Sequence, residues 1–253
     1  MSDETTHCRF RKALVKAGAY DALLAEVCRQ IENHGLQVKE AAAAIIDATL
    51  IESAAHPRTH VEVPAEDRAE DETPDEPACV VFCADHDARW IKTGRKNMSG
   101  HKGVARCDEQ GFMDKIHTTH TNLGESPQFE TMIKRTKAQR VLADKAYAST
   151  ANRDTLKAKH RDGILHKVVR ARPLRQLENG IKKLISKHRF RIEQCFDTMK
   201  RLFGLYRAQY FGVAKIHAQM VMAALSQTLL KAAHKITYNR ETPAIAERKP
   251  KTP

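Results

Sequence analysis

The chain has 253 residues, 42% of them hydrophobic, which is enough apolar material for one substantial core or two small ones. Lys and Arg outnumber Asp and Glu by 43 to 31, a formal net charge of +12. That excess suits a polyanionic partner better than a merely solvated basic surface. No apolar run approaches the length of a membrane-spanning helix and no secretory signal pattern opens the chain, which excludes a membrane protein of that kind.

Six cysteines, Cys8, Cys28, Cys79, Cys83, Cys107 and Cys195, are scattered rather than clustered. They read as free thiols of a reducing compartment and not as a disulfide framework. Cys79, Cys83 and His86 hint at a zinc site, but no matching second pair exists, and Val80, Val81 and Phe82 read as an ordinary apolar run.

Residues 1–40 read as helical. Asp3, Thr5 or Thr6 can cap the start, Phe10, Leu14, Val15, Leu23, Leu24, Val27 and Ile31 form an apolar stripe, Gly18 divides two helices and Gly35 ends the second. Within 41–60, the alanines of Ala41–Ala44 favour a helix, but Ile45, Ile46, Thr49 and Ile51 favour a buried strand interrupted by one carboxylate, Asp47. Residues 61–100 contain an insertion. Eight acidic residues face a single Arg68 between 61 and 78, with Pro64, Pro74 and Pro77, a linker composition. A rival reading has this segment folding over the basic surface as a DNA mimic.

From 101 to 238 the pattern is mixed α/β. A hairpin is predicted from Gly103–Arg106 and Phe112–His117 around Asp108–Gly111. A helix follows at 128–136, then a strand over Arg140–Tyr147, a helix at 151–159 capped by Ser149 or Thr150, and a strand at 163–169. Leu184, Ile185, His188, Ile192, Cys195, Phe196, Met199, Leu202 and Phe203 recur at helical spacing. A last helix spans 215–236, and 239–253 reads as a frayed tail. A mixed α/β sheet flanked by helices, with an amino-terminal helical segment, is the expected class.

Three carboxylates stand where a cation site would want them. Asp47 lies inside an apolar strand, costly unless paired or bound to a cation. Asp144 ends the strand Val141–Ala143, a usual ligand position in sheets flanked by helices. Glu193 lies on the long helix, with Arg189 four residues before and Lys200 seven after, both near its face at 3.6 residues per turn. A solvated salt-bridge face is the plainer alternative for that helix.

Ile46–Glu52, Ala143–Tyr147 and Arg189–Lys200 resemble the three acidic motifs of DDE transposases of the insertion-sequence-five family. Arg189, Glu193 and Lys200 match three positions of that group's Y-R-E-K signature, with Ser186 at the Tyr position. The likeness extends through Asp3–Arg11, Asp85–Trp90, Lys200–Gly204 and Arg207–Gly212. Departures are Ala146 where Gly is frequent, Met98–His101 in place of an aromatic-Gly-Tyr-like run, and an amino-terminal helical region of relatives that is not seen before Met1.

The resemblance implies a ribonuclease-H-like core and metal-dependent DNA cleavage and strand transfer for a prokaryotic insertion sequence. Asp47, Asp144 and Glu193 would bind two Mg2+, with Mn2+ able to substitute. Arg189, Lys200, Arg191, Arg201 and Arg207 would contact double-stranded DNA, at the element ends and the target. A homodimer on DNA and a cytoplasmic, nucleoid-associated setting are implied as well. Two alternatives stay open: an inactive shortened relative that only binds DNA, and a plain metal-dependent nuclease.

Rivals for individual positions are Asp108 as the first acid, set aside for its turn context, and Asp85 and Asp87, which read as loop carboxylates. His117 and His120 read as surface or sheet histidines before ligands. Trp90 reads as core packing before base stacking.

Overall fold

A computed structural model describes residues 3–36, 42–55, 61–62, 79–80, 85–166 and 176–241. Most of the acidic insertion, Cys83, most of the predicted tail and the second half of the predicted strand at 163–169 lie outside them.

Two helices come first, α1 (Glu4–Lys16) and α2 (Ala19–Asn33). Gly18 (φ 61°) and Gly35 (φ 68°) take left-handed conformations at their ends, which a residue without Cβ adopts at least cost. Asp3 holds the cap position of α1 but makes no side-chain capping bond.

The sheet is built from β1 (Ala43–Glu52), β4 (Arg89–Thr93), β5 (Lys96–Asp108), β6 (Met113–His120), β7 (Arg140–Ala143) and β8 (Arg161–Ile164). Two short strands, β2 (Val61–Glu62) and β3 (Cys79–Val80), pair separately, so the two ends of the acidic insertion meet. β5 runs antiparallel to β1 on one edge and to β6 on the other, while β7 and β8 continue parallel to β1. The resulting core order, β6-β5-β1-β7-β8 with only β5 reversed, is that of a ribonuclease-H-like sheet.

Alternation along β1 explains how one strand serves two layers. Ala43, Ile45 and Ile51 face the core formed with α2, α5 (Gln176–Phe203) and α6 (Val213–Glu241), against Leu24, Ile192, Met199 and Met220. Ile46 faces the opposite core with Val104, Phe129, Met132, Val141, Tyr147 and Leu156, under α3 (Phe129–Ile133) and α4 (Thr150–Lys157). Asp47 has the parity of Ile45 and so points toward α5.

Several sequence expectations change in detail. The hairpin strands are longer than predicted because β5 extends back to Lys96 to pair with β4, a strand the sequence reading did not assign. The predicted helix at 128–136 shortens to α3, preceded by a 3-10 turn at Ser126–Gln128. The strand at 140–147 stops at Ala143, where Asp144 caps a second 3-10 turn, Lys145–Tyr147. Trp90 is not core: it lies on edge strand β4 and is 54% exposed.

Candidate active site

Asp47, Asp144 and Glu193 come from β1, the end of β7 and the middle of α5. They converge on one side chain, Arg189. Arg189 Nη2 donates to Asp47 Oδ2 at 2.8 Å, Nη1 lies 3.3 Å from Asp144 Oδ1, and Nη2 lies 4.0 Å from Glu193 Oε1. The backbone prepares this meeting. Parallel pairing of Ile46 with Ala143 places Asp47 and Asp144 at neighbouring strand positions. The four-residue spacing in α5 puts Arg189 one turn from Glu193, and Ile185, Ile192, Cys195, Phe196 and Met199 hold the helix on the sheet.

Burial falls off from Asp47 to Glu193. The Asp47 side chain is 14% exposed, that of Asp144 31% and that of Glu193 55%. Burial raises the Asp47 carboxyl above its usual range, against the opposing charge and hydrogen bond of Arg189 and the Ala48 N–H, with Asp144 adding to the rise. Arg189 is held more firmly charged: burial works against its charge, but the three carboxylates outweigh that.

Further groups surround the acids. Lys102 on β5 is buried and donates from Nζ to the Leu123 carbonyl at 2.7 Å, and Nζ lies 3.8 Å from Glu125 Oε1. Tyr147 is fully buried, and its hydroxyl has no hydrogen-bond partner among the described residues. Burial raises that phenol, and Glu125, Asp47 and Asp144 raise it further. The sequence reading missed Lys102 and Glu125. Lys102 sits between His101 and Gly103, so nothing in its neighbourhood marks it as buried, and nothing local marks Glu125.

The basic residues assigned to DNA differ in placement. Arg189 faces the acids. Lys200 is half-buried, and burial lowers its pKa. Arg191 and Arg201 are exposed on α5, near Gln194 and Asp197 respectively. Arg207 donates to the Ala54 carbonyl at 3.2 Å beside the end of β1, so at least one of its bonds ties the chain together.

The rival carboxylates have structural partners. Asp108 accepts the N–H groups of Gln110 and Phe112 in the β5–β6 turn. Asp85 is buried, bonded to Ser53, His101 and the Gly212 N–H, and Asp87 accepts the Val213 N–H at the start of α6. His120 Nδ1 bonds the Asp87 carbonyl. His117, on β6, is half-buried, and burial lowers its pKa.

Among the described residues, no group of three or more His, Cys, Asp or Glu side chains is already arranged to hold a metal ion. A guanidinium stands at the centre of the carboxylates instead. The donor set still fits a hard divalent cation. It is all carboxylate oxygen, three negative charges meet one positive charge, and among the described residues the buried Arg189 Nε has no hydrogen-bond partner. Turning Arg189 aside would free the acid oxygens for a cation.

Residues 39–229 match the family described as Transposase DDE domain. The chain is 35% identical over 232 residues to the transposase for insertion sequence element IS1106 of Neisseria meningitidis serogroup B, covering 90% of this chain and 78% of that protein. A solved structure, the piggyBac transposase synaptic complex with hairpin DNA, aligns with 95% of this chain at a TM-score of 0.43 and 12% identity. The chain spans about half of that protein, 56% of its length. The family match and the kinship to the Neisseria protein make this chain a member of the DDE transposase family.

Proposed function

We propose that the chain cleaves and joins DNA strands for an insertion sequence by using Asp47, Asp144 and Glu193 as the acids of a divalent-cation centre. The observation that carries this reading is the convergence of the three carboxylates on Arg189, from stretches nearly 150 residues apart. DNA phosphoryl transfer is the chemistry of the family. The expected cofactor is a pair of Mg2+ ions, with Mn2+ able to substitute.

The bound ions would supply an activated oxygen nucleophile and neutralise charge at the leaving oxygen. The protein's part is geometric and electrostatic. Asp47 is fixed by β1 and by the Ala48 N–H, and Asp144 by its own capping bond to the Lys145 N–H. Arg189, released from the acids, is in place to hold a phosphate oxygen with a planar pair of donors. Lys200 follows Arg189 and Glu193 along one face of α5, while Arg191 and Arg201, exposed on its other faces, add affinity for the DNA backbone without reading sequence. The substrates are element ends and target DNA. Pairing two ends calls for a homodimer, and the site of action is the nucleoid. No helix among the described residues is long and apolar enough to cross a membrane.

Asp144→Asn and Glu193→Gln test the assignment. Each should abolish Mg2+- or Mn2+-dependent cleavage of end-bearing DNA while leaving DNA binding intact. Cleavage by either variant at the parent rate refutes the assignment. A parent chain that binds DNA but cleaves none with either metal indicates a protein that only binds, and cleaved but never joined products indicate a plain nuclease.

A further inference from the structure

The carboxylates that meet on Arg189 do not exhaust the acidic groups at this pocket. Glu125 lies at the head of the 3-10 turn Ser126–Gln128, which follows β6 and is far from the other acids in sequence. Two contacts hold it beside them. The Asn152 side-chain amide donates to the Ser126 carbonyl at 3.1 Å, to Ser126 Oγ at 3.0 Å and to the Tyr147 carbonyl at 2.8 Å. One buried amide therefore clamps the turn after Glu125 to the turn after Asp144. Lys102 supplies the second contact, with Nζ bound to the Leu123 carbonyl and close to Glu125 Oε1.

An acid in this place needs a reason. The Glu125 side chain is 24% exposed, and among the described residues its one ion-pair partner, Lys102 at 3.8 Å, is farther than a hydrogen bond. Burial raises its carboxyl, Lys102 opposes the rise, and the negative charges of Asp47 and Asp144 add to it, so it shares their electrostatic field. The fully buried Tyr147 hydroxyl, without a partner among the described residues, lies in the same field. A structural carboxylate would end in hydrogen bonds, as Asp85 and Asp108 do here. Glu125 faces a crowd of negative charge balanced by Lys102 and Arg189. That is the arrangement of a site completed by a cation.

We propose that Glu125 is a fourth acidic residue of the divalent-cation pocket, held by Lys102 and by the Asn152 clamp to supply an oxygen toward the bound ions. This rests on the reading of Asp47, Asp144 and Glu193 as the metal-binding acids. It extends that set with a residue from the loop after β6.

The test is Mn2+ binding to the full chain without DNA, followed by calorimetry or by water-proton relaxation. Glu125→Gln keeps the shape and removes the charge, so a packing role predicts unchanged affinity. The proposal predicts at least a tenfold loss of Mn2+ affinity, within the range for groups that support a metal centre. Glu125→Asp should recover part of the loss, and urea unfolding of Glu125→Gln should match the parent. Parent-like Mn2+ binding by Glu125→Gln, with loss in Asp144→Asn, overturns the role of Glu125 and leaves the three-acid reading standing. Parent-like binding by Asp47→Asn, Asp144→Asn and Glu125→Gln together overturns both.

Discussion

Removing Arg189 should unbalance the acids and bring out their appetite for metal. In Arg189→Met the Asp47 side chain, 14% exposed, loses its only charged hydrogen-bond partner among the described residues. Breaking a buried pair costs roughly 3–5 kcal/mol. Two effects reduce it: Asp47 can take up a proton, each unit of pKa rise being worth about 1.36 kcal/mol, and the cost of burying Arg189 disappears. The contacts to Asp144 and to half-exposed Glu193 add little in solvent. A net loss of about 2–3 kcal/mol lowers the melting midpoint of a chain this size by roughly 5–10 °C. Mn2+ at a hundred times its dissociation constant restores about 2.7 kcal/mol.

In the parent the ion must first displace Arg189, so the same Mn2+ concentration should raise the parent's midpoint less than the variant's. The pH dependence has a fixed sign. Asp47 is already raised in the folded parent, and the loss of Arg189 raises it further. The stability gap is therefore full only where Asp47 is ionised in both proteins, and it closes as pH falls from the variant's folded pKa to the parent's, below which the group is protonated in both. Differential scanning fluorimetry with and without Mn2+, from pH 4 to 8, reads all of this. Equal midpoints at neutral pH, or metal shifts of equal size in both proteins, would refute the reasoning.

Other substitutions probe the scaffold. Asp85 is held below the usual carboxylate range because bonds from His101, Ser53 and the Gly212 N–H outweigh its burial. Its contribution is present above the unfolded pKa and lost as pH falls through the folded one, so Asp85→Asn should cost about 1.5–3 kcal/mol at pH 7 and less in acid, by urea unfolding. A cost independent of pH would deny the charge a role. Tyr147→Phe removes a buried hydroxyl that has no partner among the described residues, and should be neutral or stabilising by up to about 1 kcal/mol. A clear loss would mean the hydroxyl is bonded. Gly100→Ala drives a methyl into the Ile51 carbonyl, a backbone atom inside the β1–β5 ladder, and should cost about 2 kcal/mol or more. An unaffected midpoint would mean the ladder yields there.

Local rules made much of this protein legible from residues alone. Asp47, Asp144 and Glu193 stood out because a carboxylate in an apolar strand, at a strand end or on an amphipathic helix breaks a short-range pattern that a reader can check. The order of strands and helices followed from the same periodicities, and the glycine stops of α1 and α2 and the Ser149 cap of α4 followed from local backbone chemistry. Trp90 was misplaced because an aromatic in a short strand has no local mark of whether that strand lies at an edge.

The meeting of the acids with each other, and with Lys102 and Glu125, belongs to the tertiary structure. It depends on which strands pair and in what register, and pairing energy comes from partners far away in the chain. Arg189 shows the difference most clearly. Helical spacing placed it one turn from Glu193 and suggested a hand for phosphate. Only the packing of α5 across β1 and β7 turned its guanidinium onto three carboxylates, because buried like charges must find a counter-charge wherever the fold brings one within reach.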